Sequence, residues 1–164
     1  MVAGCLSAAV IGCGVVNAAA QATNRPAATR CNPCAVGQTL SWHGTSYRVS
    51  RVRIVARIGD GPLGGPAKGI FVILTITMTD LTTHASTVIG DALQIRTRSN
   101  DVYATSDKAS GVYANGFQVL EKLRPGIATT VTAVYDLPKN AVRGAQLEIR
   151  DVGTGTTAAI ALGV

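Results

Sequence analysis

The stretch Gly69-Ile-Phe-Val-Ile-Leu-Thr-Ile-Thr-Met-Thr-Asp80 decides the fold. Ile70, Val72, Leu74 and Ile76 share one parity, and Phe71 and Ile73 the other, so an extended chain presents apolar groups on both sides. β-Branched and aromatic residues dominate it, as they do in strands. A Gly/Pro-rich loop, Gly59 to Ala67, leads in, and Leu81 and Thr82 lead out into a polar segment. This pattern predicts a central strand buried on both faces.

Upstream, Leu40 and Trp42 alternate with polar neighbours, and His43-Gly44-Thr45 turns the chain into a long strand, Ser46 to Ile58. Its apolar parity changes from Tyr47 and Val49 to Val52, Ile54, Ala56 and Ile58, which predicts a bulge after Val49. Arg51, Arg53 and Arg57 are then left together on one solvent-facing side. Downstream, Leu93 and Ile95 oppose Gln94, Arg96 and Arg98 within a strand Val88 to Thr97, and Ser99-Asn-Asp101 is a tight turn. Val102 and Tyr103 start the return, and 104–116 is a long polar loop. Phe117 to Leu123 and Thr129 to Leu137 are strands around an Arg124-Pro-Gly126 turn, and 139–143 forms a short helical turn. Gln146 to Asp151 and Thr157 to Leu162 close as a hairpin around Gly153 to Gly155. About eight or nine short strands without βαβ alternation predict an all-β antiparallel sandwich, with a small closed barrel as the alternative.

The 164 residues carry only 15% charged side chains and 4% aromatics, so Val, Ile, Leu and Thr must build the core. The net charge of +6 favours anionic partners in general. Nucleic acid is the sharper reading of that charge, but basic and aromatic residues are not interleaved as such binders require, so it is disfavoured.

The first 24 residues bear no charge. Residues 1–20 read as an export leader, in one of three forms. Ala18 to Ala20 offers a cleavage site with a mature start at Gln21. Val10-Ile-Gly-Cys13 resembles a lipobox, with Cys13 acylated. A retained anchor of about twenty residues is the third form. No positive segment precedes the apolar stretch, which predicts a start upstream of Met1. Residues 21–36 are polar and without period, a flexible spacer, and 37–164 form the domain. Removing the leader takes Cys5 and Cys13 with it and leaves Cys31 and Cys34 as a pair suited to an oxidising compartment. The localisation expected is secreted, or the outer face of the cytoplasmic membrane, with membrane contact through the leader or its lipid alone.

Several separated features line up with a known family. Val36-Gly-Gln-Thr-Leu40, Tyr47-Arg-Val-Ser-Arg-Val52, the Gly69 to Asp80 strand, Leu93-Gln-Ile95 to Tyr103, Leu123-Arg-Pro-Gly126 and Tyr135-Asp-Leu-Pro138 occur in the order of a bacterial extracellular family of unknown function. The chain resembles it over roughly residues 36 to 162. Asp80 departs from the pattern, which usually has Asn there. The resemblance implies a telokin-like, immunoglobulin-like β-sandwich related to mycobacterial secreted immunogenic antigens, exported by a leader or lipobox. The family carries no established catalytic residues.

The residues themselves offer little chemistry. Cys31-Asn-Pro-Cys34 has the spacing of a thiol–disulfide motif, but no helix follows to stabilise a thiolate, so a structural disulfide outside the sandwich is the better reading. With one histidine nearby, the pair lacks the ligands for zinc. His84 with Asp80 and Ser86 imitates a triad only by adjacency. The glycines at 59, 61, 64 and 65 precede a strand and so lack the helix terminus that holds phosphate. Trp42, Tyr47 and Tyr135 form either a ligand cleft or core packing. No cofactor, metal or catalytic residue is expected. The strongest candidate is the basic row Arg51, Arg53 and Arg57, with Arg48, Arg96 and Arg98 beside it. Its partner would be an anionic envelope polymer or another envelope protein. The expected function is a non-enzymatic exported interaction module. The alternatives are an envelope thiol–disulfide or hydrolytic enzyme and a nucleic-acid-binding barrel.

Overall fold

The computed structural model describes residues 31–62 and 64–164; the leader, Cys13 and most of the spacer lie outside them. Among the described residues the strands are β1 (Cys34–Ala35), β2 (Leu40–Trp42), β3 (Thr45–Ile58), β4 (Gly65–Asp80), β5 (Ser86–Ile89), β6 (Leu93–Arg96), β7 (Val102–Tyr103), β8 (Leu120–Leu123), β9 (Ala128–Leu137), β10 (Gln146–Arg150) and β11 (Thr157–Ala161). One sheet has the order β2-β3-β4-β9 and the other β1-β11-β10-β6-β7, with β5 and β8 pairing apart. The fold is thus an immunoglobulin-like β-sandwich. Every strand pair is antiparallel except β1 with β11.

β4 is central, flanked by β3 and β9. Val72, Leu74, Ile76 and Met78, with Tyr135 of β9 beside Val72, face Leu93, Ile95, Leu147, Ile149 and Ile160 across the core between the sheets. Each such side chain contributes about 1.5–3 kcal/mol by leaving water. Burial on both faces holds from Phe71 to Leu74; beyond them Thr75, Thr77 and Thr79 are only half-buried on the outer side. The outer cover comes from the segment predicted as a polar loop. It contains a short helix, α1 (Asp107–Ser110), which Ser106 caps by accepting from the Ala109 amide. Ala109 packs with Ile58, Phe71, Ile73 and Val134 in a second small core, with Val112 and Tyr113 against it. Ser106 N donates to the Val134 carbonyl at 2.7 Å, and Val134 N to Ser110 Oγ at 3.1 Å. Phe117 N and the Thr132 carbonyl, and Thr132 N and the Asn115 carbonyl, are each 2.8 Å apart. Segment 106–117 therefore closes the outer edge of β9.

Four sequence expectations are corrected. The spacer does not extend to residue 36: Cys34 and Ala35 pair with Ile160 and Ala161, and Cys34 is fully buried in the main core. The Cys31–Cys34 pair thus belongs to the sandwich edge and does not lie outside it. The run Val88 to Thr97 is two strands, because a 3-10 turn at Gly90–Ala92 moves the chain from β5 to β6 in another sheet. In the segment Phe117 to Leu123, only Leu120–Leu123 is strand. The bulge after Val49 is present as a register shift between Val49 and Arg51, and the 139–143 helical turn is a 3-10 turn at Lys139–Ala141.

Candidate functional site

The outer face of the β3–β4–β9 sheet carries the basic residues. Opposed residues in an antiparallel pair share a face, and Arg48, Arg51 and Arg53 stand opposite Thr77, Thr75 and Ile73. Those three partners alternate with the core-facing Val72, Leu74 and Ile76, so the arginines point outward. All three are exposed. Beside them runs a row of hydroxyls, in which Thr77 Oγ1 lies 3.0 Å from Thr130 Oγ1 across the β4–β9 pair. Alternate side chains on a strand repeat at about 6–7 Å. None of the ion pairs among the described residues involves these three arginines; they engage His43, Arg57 and Arg96.

Arg57 does not belong to this row. A second register shift between Val55 and Arg57 changes the phase of β3. Ile58 joins the small core that Val55 also touches, and Arg57 turns to Asp60, with Nη2 2.9 Å from Oδ1. Arg96 is also engaged: it forms a two-pronged pair with the buried Glu148, and its Nη1 donates to Asn100 Oδ1 at 2.8 Å. The pair with Glu148 holds the guanidinium pKa above its ordinary value.

At one end of the sandwich two turns meet. His43 (φ +44°) and Gly44 (φ +78°) form the tight turn between β2 and β3, a left-handed pair that suits a hairpin. His43 Nδ1 lies 2.8 Å from Asp151 Oδ2, in the turn after β10, and His43 Nε2 lies 3.3 Å from Thr156 Oγ1. Asp151 Oδ1 accepts the Gly153 and Thr154 amides at 2.8 and 3.2 Å. These amides, with the nearby His43, hold its carboxyl below the usual range. The row imitates carboxylate–imidazole–hydroxyl, but its hydroxyl is an exposed threonine on a turn. Mechanically it clasps one sheet to the other. Beside it a cleft of about 300 Å³ is walled by Trp42, Tyr47, Val88, Ile89 and Arg150. Trp42 and Tyr47 thus reach a cleft, whereas Tyr135 is fully buried, its hydroxyl donating to the Leu93 carbonyl at 3.3 Å.

The His84 ring does not join Asp80 and Ser86. Asp80 is buried and accepts from the Thr82 amide and hydroxyl at 2.8 and 2.7 Å. The neighbouring Ser86 and then Thr82 hold its carboxyl below the usual range. His84 is exposed and meets Thr83 instead, Nδ1 to Oγ1 at 3.0 Å. Cys31 and Cys34 form a disulfide, and Cys34 leads into a strand, so no helix terminus faces the sulfurs. Among the described residues no group of three His, Cys, Asp or Glu side chains is placed to hold a metal ion. Sequence reasoning missed the contact of His43 with Asp151, which no local spacing could have indicated.

No family model matches the chain, and no curated protein matches it. Solved structures do share its fold. The yjhA protein of Bacillus subtilis aligns at TM-score 0.61 and 15% identity, over 79% of this chain and 99% of that one. A secreted protein of Mycobacterium tuberculosis, MPT63, aligns at TM-score 0.57 and 14% identity, over 79% and 96%. A conserved hypothetical protein of Bacillus anthracis aligns at TM-score 0.54 and 14% identity, over 80% and 99%. The chain is similar to these in fold, and one of them is secreted.

Proposed function

We propose that this chain is an exported, non-catalytic interaction module whose outer sheet face engages an anionic partner. The observation that carries this reading is the row Arg48, Arg51 and Arg53, exposed, in no ion pair among the described residues and mounted on the three paired strands β3, β4 and β9. Charges spaced along an already ordered strand act jointly on an anionic surface, and the contact has to offset only the ordering of the arginine side chains themselves. Export is supported by the uncharged leader of residues 1–20, with its cleavage-like Ala18 to Ala20 and lipobox-like Cys13, and by the secreted relative in fold. Retention on an anionic matrix tests the reading. Glutamate at 48, 51 and 53 should abolish low-salt retention, whereas Arg57→Glu should leave most of it. Retention of the wild type should fade as the screening length falls from about 30 Å at 0.01 M salt to about 8 Å at 0.15 M. Equal retention of the triple variant and wild type would sink the assignment.

A further inference from the structure

Among the described residues one edge of the β2-β3-β4-β9 sheet is covered and part of the other is left without a partner. Along β9 the 106–117 segment supplies hydrogen-bond partners. On the opposite side β2 reaches only Thr45–Tyr47 of β3, and the Val49 carbonyl accepts from Gly37 N at 2.8 Å. From Arg51 onward no described segment pairs with β3 on the side away from β4. The bare stretch is bounded. Pairing with β4 is regular from Arg51 to Val55, and register shifts fall on either side of it. Five residues of regular strand span about 17 Å.

Within that stretch cationic and apolar side chains alternate. Arg51 and Arg53 lie on the outer face, opposite Thr75 and Ile73. Val52 and Ile54 lie on the core side, opposite Leu74 and Val72; Val52 is half-buried and Ile54 is 41% exposed. We infer that the Arg51–Val55 edge accepts an extended acidic peptide of a protein partner as an added strand. Its acidic side chains stand beside Arg51 and Arg53, and its intervening apolar ones beside Val52 and Ile54. Main-chain bonds to an open edge supply affinity in such additions, and alternate side chains supply choice of partner. A second copy of this edge is a poor occupant, because pairing would set arginine beside arginine, and like charges directly opposed are destabilising. The chain's own first 30 residues contain no Asp or Glu to meet the arginines. The inference rests on the anionic-partner reading and names the partner's chemistry.

The test uses a fluorescent peptide alternating glutamate and valine, a peptide of the same composition with its glutamates in one block, and the alternating peptide N-methylated along its backbone. Fluorescence anisotropy at low salt should show the alternating peptide bound, and the blocked one about tenfold weaker, since it cannot match charge and main-chain bonding together. The N-methylated peptide, which keeps its charges but loses the main-chain bonds, should also bind at least about tenfold weaker. Arg51→Gln with Arg53→Gln should weaken the alternating peptide at least about tenfold, with an unchanged circular dichroism spectrum. Ile54→Glu, which leaves both arginines, should weaken it as well. Equal binding of all three peptides overturns strand addition and leaves an anionic polymer as the occupant of the face. Retention on an anionic matrix with no binding of any peptide also overturns it. Loss of both retention and peptide binding in the wild type overturns the edge and the anionic-partner reading together.

Discussion

Gly69 and Asp136 fasten β4 to β9 where the sheet is most irregular. The Gly69 amide donates to Asp136 Oδ1 at 3.0 Å, and the Lys68 amide donates to Oδ2 at 2.8 Å. The glycine lies so close to β9 that a Cβ on it would stand 2.1 Å from the Leu137 carbonyl oxygen. Both residues fall in the motifs that carry the family resemblance, and the contact supplies a physical reason for them.

Gly69→Ala should therefore destabilise the domain by about 1–3 kcal/mol, the range for forcing volume into a packed site. Asp136→Ala should cost a similar amount by leaving two amides without their acceptor. The two losses should be less than additive in the double variant, since both open the same junction. Urea unfolding of the four proteins measures this, and full additivity would mean that the contact is not shared.

Acidification should weaken the fold through Asp80 and Asp151. Both carboxyls are held below the ordinary range, so each binds a proton more readily in the unfolded chain. Their contribution is fully present above about pH 4, the ordinary carboxylate value, and is lost as pH falls towards their folded values. Asp80→Asn should flatten the acid limb of a stability–pH curve. An unchanged limb would show that the Ser86 and Thr82 surroundings do not favour the charged form.

Replacing the cysteine pair separates two effects. Alanine at 31 and 34 removes the disulfide and leaves a small apolar group in the core. Serine at both places a hydroxyl where Cys34 is fully buried. The serine pair should be less stable than the alanine pair by about 1 kcal/mol, the cost of burying a hydroxyl that has only the residue 31 carbonyl, 3.2 Å from Cys34 Sγ, within reach. Equal melting temperatures would return Cys34 to the solvated spacer.

The arginines of β3 should also keep the protein from pairing with itself. Arg51→Thr with Arg53→Thr exposes a strand edge of high β propensity without its charges. Sedimentation should show concentration-dependent association of this variant and not of the wild type. A monomeric variant would place the protection in the two bulges instead.

The strands that were legible in the sequence are those whose evidence is local. Phe71 to Leu74 announce a core strand by composition, and Leu147 and Ile149 announce theirs by parity on a hairpin with an obvious turn. What stayed hidden depends on distant partners. Cys34 enters the core because Ile160 offers it an edge, and nothing within its own neighbourhood has a period. The second bulge of β3 is set by Ile58 packing under α1, so Arg57 seemed by spacing alone to continue a row that it leaves. The candidate face was therefore half readable: Arg51 and Arg53 by alternation, and Arg48 only once the first bulge was placed.

The parallel pairing of β1 with β11 has a consequence under force. A pull on the chain ahead of Cys31, opposed at Val164, draws these two strands past each other along their length. The pairs Cys34–Ile160 and Ala35–Ala161 are then strained together, not opened one after another. The buried Cys34 adds a side chain that must be dragged from the core at the same moment. A domain held by its N-terminal side while Val164 is drawn away would thus load both pairs at once.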